Sequence, residues 1–335
     1  MRSPTNSYEQ IKKTPKSSQK WLLGTLLVLV CLGVIGLVEK RNIQDFFKLY
    51  NYHPPAAILN LAKDDTMTPY ALKVFKVNHP SIEDKQTFNV NCPNDGGEKT
   101  IVLGCYHSDQ AGIFLLNVSD SRLYGVQQVT AAHEMLHAAY DRLSTSERKK
   151  VDAMLLNYYN HDLTNPRIKQ DINLYKQTEP HDVVNEMHSV FGTEIANLPA
   201  PLENYYKRYF SDRQKIAAYA NQYQAAFTSR QSAVSQDDAE LSSMKTQIQN
   251  MEADIKSKYS AINTEQNTLN SEKTNDVSAY NADIGGYNQQ VDAYNNEVAS
   301  LKTVIAQYNS LVTTRNSIAL LENHLYDELS GITTK

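Results

Sequence analysis

From residue 277 onward apolar side chains fall on two interleaved seven-residue series. Val277, Ile284, Val291, Val298, Ile305 and Val312 form one, and Tyr280, Tyr287, Tyr294, Leu301 and Tyr308 follow three positions behind. A repeat of this kind turns one stripe of a helix toward a partner helix, which is the pattern of a coiled coil. Upstream, Leu241, Ile248, Ile255, Ile262 and Leu269 keep the same step, but their companions pass from Met244 and Met251 to Lys258, Glu265 and Glu272, so that seam is only half apolar. Between Leu269 and Val277 the step is eight, and the intervening NSEKTND is wholly polar, which predicts a reversal near residues 270–276 and an antiparallel helical hairpin. Gly285-Gly286 is an alternative tip, although the phase from Ile284 to Tyr287 runs across it. A single unbroken rod that dimerises is the third arrangement.

The middle of the chain carries different periods. Val126, Val129, Leu136, Tyr140 and Leu143 recur at helical spacing through GVQQVTAAHEMLHAAYDRL, with no proline or interior glycine. Ser144 and Glu147 form a capping-box pattern that opens a second helix, with Val151, Met154, Leu155 and Tyr158 as its apolar positions. Before these, strand-like runs are expected at residues 87–92, 100–106 and 112–118. Residues 45–75 read as mixed helix and loop, broken at Pro54 and Pro55.

Chemistry enters with His133-Glu134-Met135-Leu136-His137. Residues four apart share a helix face, so both imidazoles can bind one metal from neighbouring turns, and Glu134 lies beside it. Zinc lowers the pKa of a bound water toward neutrality, and an adjacent carboxylate can take its proton as the water attacks a carbonyl. Glu134 is therefore the expected general base, and His133 and His137 are the expected metal ligands.

A catalytic zinc keeps three protein ligands, so the third must come from downstream. The residues after His137 are AAYDRLSTS, which excludes an HExxHxxGxxH extension. In TEPHDVVNEMHSVFGTEIANLP, Thr178 and Pro180 mark a helix start, Gly192 marks its end, and Glu186 falls in the interior. Asn185-Glu186-Met187-His188-Ser189 resembles the NExxS arrangement of thermolysin-like gluzincins. That resemblance implies a metal-ligand role for Glu186, with Glu194 as its competitor. It also implies a small sheet before the active-site helix, in which GIFLLNV resembles the edge strand that borders the peptide cleft. The pattern departs from thermolysin in its longer gap from His137 and in having Val190 where an acidic residue would buttress the first histidine. His181 and His188 are further ligand candidates. His188, Tyr205, Tyr206 and Tyr209 are candidate oxyanion stabilisers, although aromatic residues at helical spacing are more often core.

Composition adds targeting and redox context. The net charge of -4 over 335 residues gives no basic groove and no indication of a nucleic-acid partner. Trp21 to Val38 is an uncharged run of eighteen residues, preceded by Arg2, Lys12, Lys13, Lys16 and Lys20. It predicts a transmembrane signal anchor, with the N-terminus cytoplasmic and the remainder extracytoplasmic. A cleaved signal peptide is the alternative, disfavoured by the length of the run. Cys92 and Cys105 flank the turn-rich PNDGGEKT and are expected to staple a hairpin if that compartment is oxidising.

The expected architecture is α+β and mostly helical: a small zincin-like catalytic domain with a short sheet and an active-site helix, followed by a long antiparallel coiled-coil hairpin. The expected segments are a tail at 1–20, an anchor at 21–38, a metallopeptidase domain at 45–228 and a coil at 229–330. The expected activity is zinc-dependent hydrolysis of a peptide or protein substrate. The expected membrane contact is through residues 21–38, and the coil offers a surface for self-association or a cell-envelope partner. The alternative is an envelope or surface coiled-coil scaffold with a degenerate or structural zinc site.

Overall fold

The computed structural model describes residues 26–27, 39–93 and 102–330. Three helices lead into the domain: α1 (Lys40–Leu49), α2 (Ala56–Asp64) and α3 (Pro69–Val77). Pro54 and Pro55 separate the first two, and the Thr68 hydroxyl caps α3 by accepting from the Ala71 N–H at 3.2 Å. Asp45 docks α1: its buried carboxylate accepts from Arg142 at 2.7 Å and lies 2.9 Å from the Lys73 ammonium. Burial pushes this carboxyl up, but the hydrogen bonds and charges of Arg142 and Lys73 outweigh it and hold it below the usual carboxylate range.

A three-stranded sheet follows. It contains β1 (Ser81–Glu83), β2 (Gly104–His107) and β3 (Gly112–Leu116) in the order β1-β3-β2, with β3 parallel to β1 and antiparallel to β2. Two sequence expectations are corrected here. Residues 87–92 form no strand: most of them belong to α4 (Lys85–Asn91), because Asp84 accepts from the Thr87 N–H at 2.9 Å and closes a helical first turn. GIFLLNV is not an edge strand. Ile113, Leu115 and Leu116 are buried, as a central strand covered on both faces requires, and β1 and β2 are the edges. The Cys92–Cys105 disulfide, with its Cα atoms 5.9 Å apart, therefore ties the end of α4 to β2 instead of stapling two strands.

Gly125 then turns the chain into α5 (Val126–Tyr140) with φ at +104°. A Cβ at this position would come within 2.8 Å of the Tyr219 carbonyl oxygen. The central helix α5 is buried on nearly every face, and Ala131, Ala132, Ala138 and Ala139 let its neighbours approach closely. The predicted capping box opens α6 (Thr145–Asn157), with the Ser144 and Glu147 side chains each bonded to the other's backbone N–H. A π-helical turn at Tyr158–Asp162 leads to α7 (Pro166–Thr178), α8 (Val183–Glu194) and α9 (Ala200–Tyr206). Gly192 does not end α8 but lies inside it. A Cβ there would sit 2.5 Å from Leu136 Cδ1 and 2.8 Å from Tyr206 Cε1, so the glycine lets α8 close onto α5.

The last two helices are long: α10 (Arg213–Asn275) and α11 (Val277–Ser330). Asp276 breaks the chain between them, and its side chain accepts from the N–H groups of Ser278 and Ala279, starting the return helix inside the predicted reversal. Gly285 and Gly286 remain helical. Arg315 bonds Asp238 at 2.8 Å and Lys258 pairs with Glu297, so the helices run antiparallel. No break occurs near residue 229: Ile216, Ala217 and Ala220 of α10 are buried in the domain, and Leu325 and Leu329 of α11 return to pack with Leu123 and Val126.

The expected localisation also needs correction. Among the described residues no helix is long and apolar enough to cross a membrane, so a single-pass membrane protein with an extracytoplasmic catalytic domain is not supported. Helices α10 and α11 have the length, but charged and amide side chains recur along both, so neither offers a continuous apolar span. The run at 21–38 lies outside the described residues apart from Leu26 and Leu27.

Closing a loop across 13 positions, the disulfide is expected to contribute about 3 kcal/mol by restricting the unfolded chain. Replacing Cys92 and Cys105 together by alanine should lower the urea midpoint accordingly. Unchanged midpoints for the oxidised wild type and the double variant would exclude this contribution.

Candidate metal centre

Helix α5 presents His133 and His137 one turn apart, with ring centroids 4.7 Å from each other in an edge-on arrangement. From the first turn of α8, Glu186 meets them. Its Oε1 is 3.3 Å from His137 Nε2, and its Oε2 is 3.6 Å from His133 Nε2. The ligating atoms of the three residues all lie within 4.8 Å of one another. Two ligands that are each about 2.1 Å from one tetrahedral ion stand about 3.4 Å apart, so the spacing suits a shared divalent cation. These three side chains can hold a metal ion.

The surroundings favour a charged carboxylate. Glu186 is buried, which pushes its carboxyl up, but the neighbouring His137, the hydrogen bond with His133 and the hydroxyl of Tyr175 bring it below the ordinary glutamate value. Tyr175 comes from α7, and no local pattern in DINLYKQT marks it as a partner of the site.

The cluster opens onto a cleft of about 480 Å³. Glu134, only 6 % exposed, lines this cleft together with the three ligand residues. Gly104 and Tyr106 of β2 border one side, Arg167 and Tyr175 of α7 another, and Tyr223 of α10 completes the wall. On the β2 side, the Tyr106 hydroxyl donates to Asp141 at 3.0 Å, just past the end of α5.

The remaining candidates lie apart from the cluster. Glu194 faces the cleft, but its Oε2 accepts from Arg167 at 2.7 Å and from Gln224 at 2.9 Å, so it is engaged in an ion pair. His181 is exposed. His188 is fully buried on a different face of α8, with its Nε2 at 2.9 Å from the Tyr205 hydroxyl and its carbonyl accepting from Tyr206 at 2.7 Å. Burial, reinforced by His137 and His133, pushes the His188 imidazole down to about 3, so it is neutral at physiological pH. The Tyr209 hydroxyl stands 3.1 Å from that of Tyr205, and together with Tyr206 these rings pack around His188 as core. Sequence inspection missed Tyr175, Arg167 and Gly104, which reach the cleft from elements distant in the chain.

Comparison with protein-family models, with curated proteins and with solved structures gave no match.

The geometry separates the two carboxylates that compete as third ligand. Elemental analysis of the purified protein should show metal bound by the wild type, lost in Glu186→Ala and kept in Glu194→Ala. Metal loss in Glu194→Ala alone would reverse the assignment.

Proposed function

We propose that this chain is a zinc-dependent metallopeptidase. The observation that supports the reading is that Glu134, set between the two histidines on α5, shares one cleft with His133, His137 and Glu186. Two imidazoles and a carboxylate suit zinc and leave a position open for water. A zinc ion held there supplies Lewis-acid polarisation of a carbonyl and activation of water at neutral pH. The protein's own groups do the rest. Glu134 takes the proton of the attacking water and delivers it to the departing amine. Tyr175 holds the Glu186 carboxylate in place by a hydrogen bond. Among the described residues the outer edge of β2 pairs with no other strand, so an extended peptide can add there as a further strand, and peptide is the favoured substrate class.

A second reading is favoured by the coil, whose two helices of 63 and 54 residues make up a large part of the chain. In it the coil is the working part of a scaffold, and the metal centre is structural. Such a centre has no use for Glu134.

The two readings part at that residue. Wild type and Glu134→Gln, both shown to contain zinc, should differ by at least about 100-fold in cleavage of a fluorogenic peptide library, the usual size of a general-base contribution. Equal rates from two zinc-loaded proteins would favour the scaffold.

A further inference from the structure

Gly104 of β2 lies against the expected general base. A Cβ built on it would be 2.6 Å from Thr130 Cγ2 and 2.9 Å from both Cγ and Oε1 of Glu134. Its backbone has no positive φ, so the strand conformation admits any residue, and only the space requires glycine. Neither Thr130 nor the strand itself yields readily, so Glu134 is the group that must move. The Thr130 hydroxyl donates to the Val126 carbonyl at 2.9 Å, which fixes the rotamer that points its methyl at the strand. The strand is pinned by its pairing with β3 and, at the next residue, by the Cys92–Cys105 disulfide.

The hydrogen-bond register adds a second role. The Leu116 N–H donates to the Leu103 carbonyl at 2.9 Å, and the register pairs Gly104 with Leu115 and Cys105 with Phe114. In an antiparallel ladder bonded and non-bonded pairs alternate, so the main-chain groups of Leu103 and Cys105 turn to β3 while those of Gly104 and Tyr106 turn to the free edge. Gly104 thus turns its main-chain N–H and C=O away from β3 beside the cleft at the level of the Glu134 carboxylate, and among the described residues no backbone partner takes them.

We propose that Gly104 is the positioning residue for Glu134: its missing side chain lets the edge strand rest on the carboxylate and sets the gap between that carboxylate and an added peptide strand. This rests on the metallopeptidase reading above. A β carbon leaves the metal ligands untouched and displaces Glu134, so the expected defect lies in proton transfer and not in metal retention.

The test uses the full chain as wild type, Gly104→Ala, Gly104→Ala with Thr130→Ser, and Glu134→Gln, each loaded with zinc and separately with cobalt(II). Gly104→Ala should bind the metal with wild-type stoichiometry and unfold cooperatively. Its kcat on a cleaved library peptide should fall at least about tenfold while KM moves less than about threefold. The pH at which the visible cobalt spectrum changes should shift from that of wild type, a signature that depends on the carboxylate beside the ion. Thr130→Ser, which removes the 2.6 Å contact, should restore part of the activity. The proposal is overturned by wild-type kcat and an unshifted cobalt titration in metal-loaded Gly104→Ala. It is equally overturned if Gly104→Ala loses metal or cooperative unfolding and Thr130→Ser does not repair it. A fully active Glu134→Gln would instead overturn the peptidase reading itself.

Discussion

The packing of α8 on α5 is the contact on which the rest of this molecule depends. It brings a buried glutamate against two histidines of another helix, an arrangement that puts a charge where solvation is poor. Such a charge is tolerable only when it is paired and hydrogen-bonded, and the two imidazoles with Tyr175 supply that environment. Close approach is secured a turn and a half further along α8, where Gly192 seats Leu136 and Tyr206 in the room a side chain would take. On another face of α8, His188 is locked among Tyr205, Tyr206 and Tyr140, so rotation of the helix would tear apart a packed aromatic cluster. The geometry of the candidate metal site is thus held by apolar and aromatic packing remote from the His133, His137 and Glu186 side-chain tips.

The coil belongs to the same construction. Arg213, 4 % exposed at the first turn of α10, donates to the carbonyl of Ala196 at 2.9 Å and pairs with Glu203, tying the long helix to the loop after α8 and to α9. One turn of helix further on, Ile216 and Ala220 enter the core, and Ala217 is buried beside them. At the other end of the hairpin, Leu325 and Leu329 cover Leu123 and Val126, beneath the start of α5, and the Lys85 ammonium bonds the Asp327 carbonyl. Both ends of the hairpin are therefore fastened to the element that carries the histidines, and Tyr223 of α10 forms part of the cleft wall. A spacer joined by a flexible linker would show neither feature.

Local and periodic signals were the legible ones. The heptads and the eight-residue step placed the reversal where Asp276 caps α11, and helical spacing placed His133 and His137 on a single face. Glu186 was reachable because a five-residue pattern carries it. What could not be read is what depends on partners far away in the chain. Strand order is one case: GIFLLNV has an apolar run compatible with either an edge or a centre, and only the parallel pairing with β1 makes it central. The run from Thr87 to Cys92 is another, since Phe88 and Val90 favour a strand while Asp84, just outside it, caps a helix. Gly192 read as a helix end because glycine usually marks one, whereas here Leu136 and Tyr206 require it inside.

Two glycines, Gly104 and Gly192, therefore carry information that their positions in the sequence conceal. Each occupies a regular element with an ordinary backbone, where glycine lowers stability relative to alanine, and each faces α5 from an opposite partner. Gly192 admits the helix that brings Glu186 to the two histidines, while Gly104 admits the strand that borders Glu134. The closeness of both contacts confines α5 between a ligand-bearing helix and a strand edge, so the histidines and the intervening glutamate face a gap whose width is set by backbone, not by adjustable side chains. A cluster built this way has its geometry set by backbone packing, which is the preorganisation that the proposed role of Glu134 as a base would require.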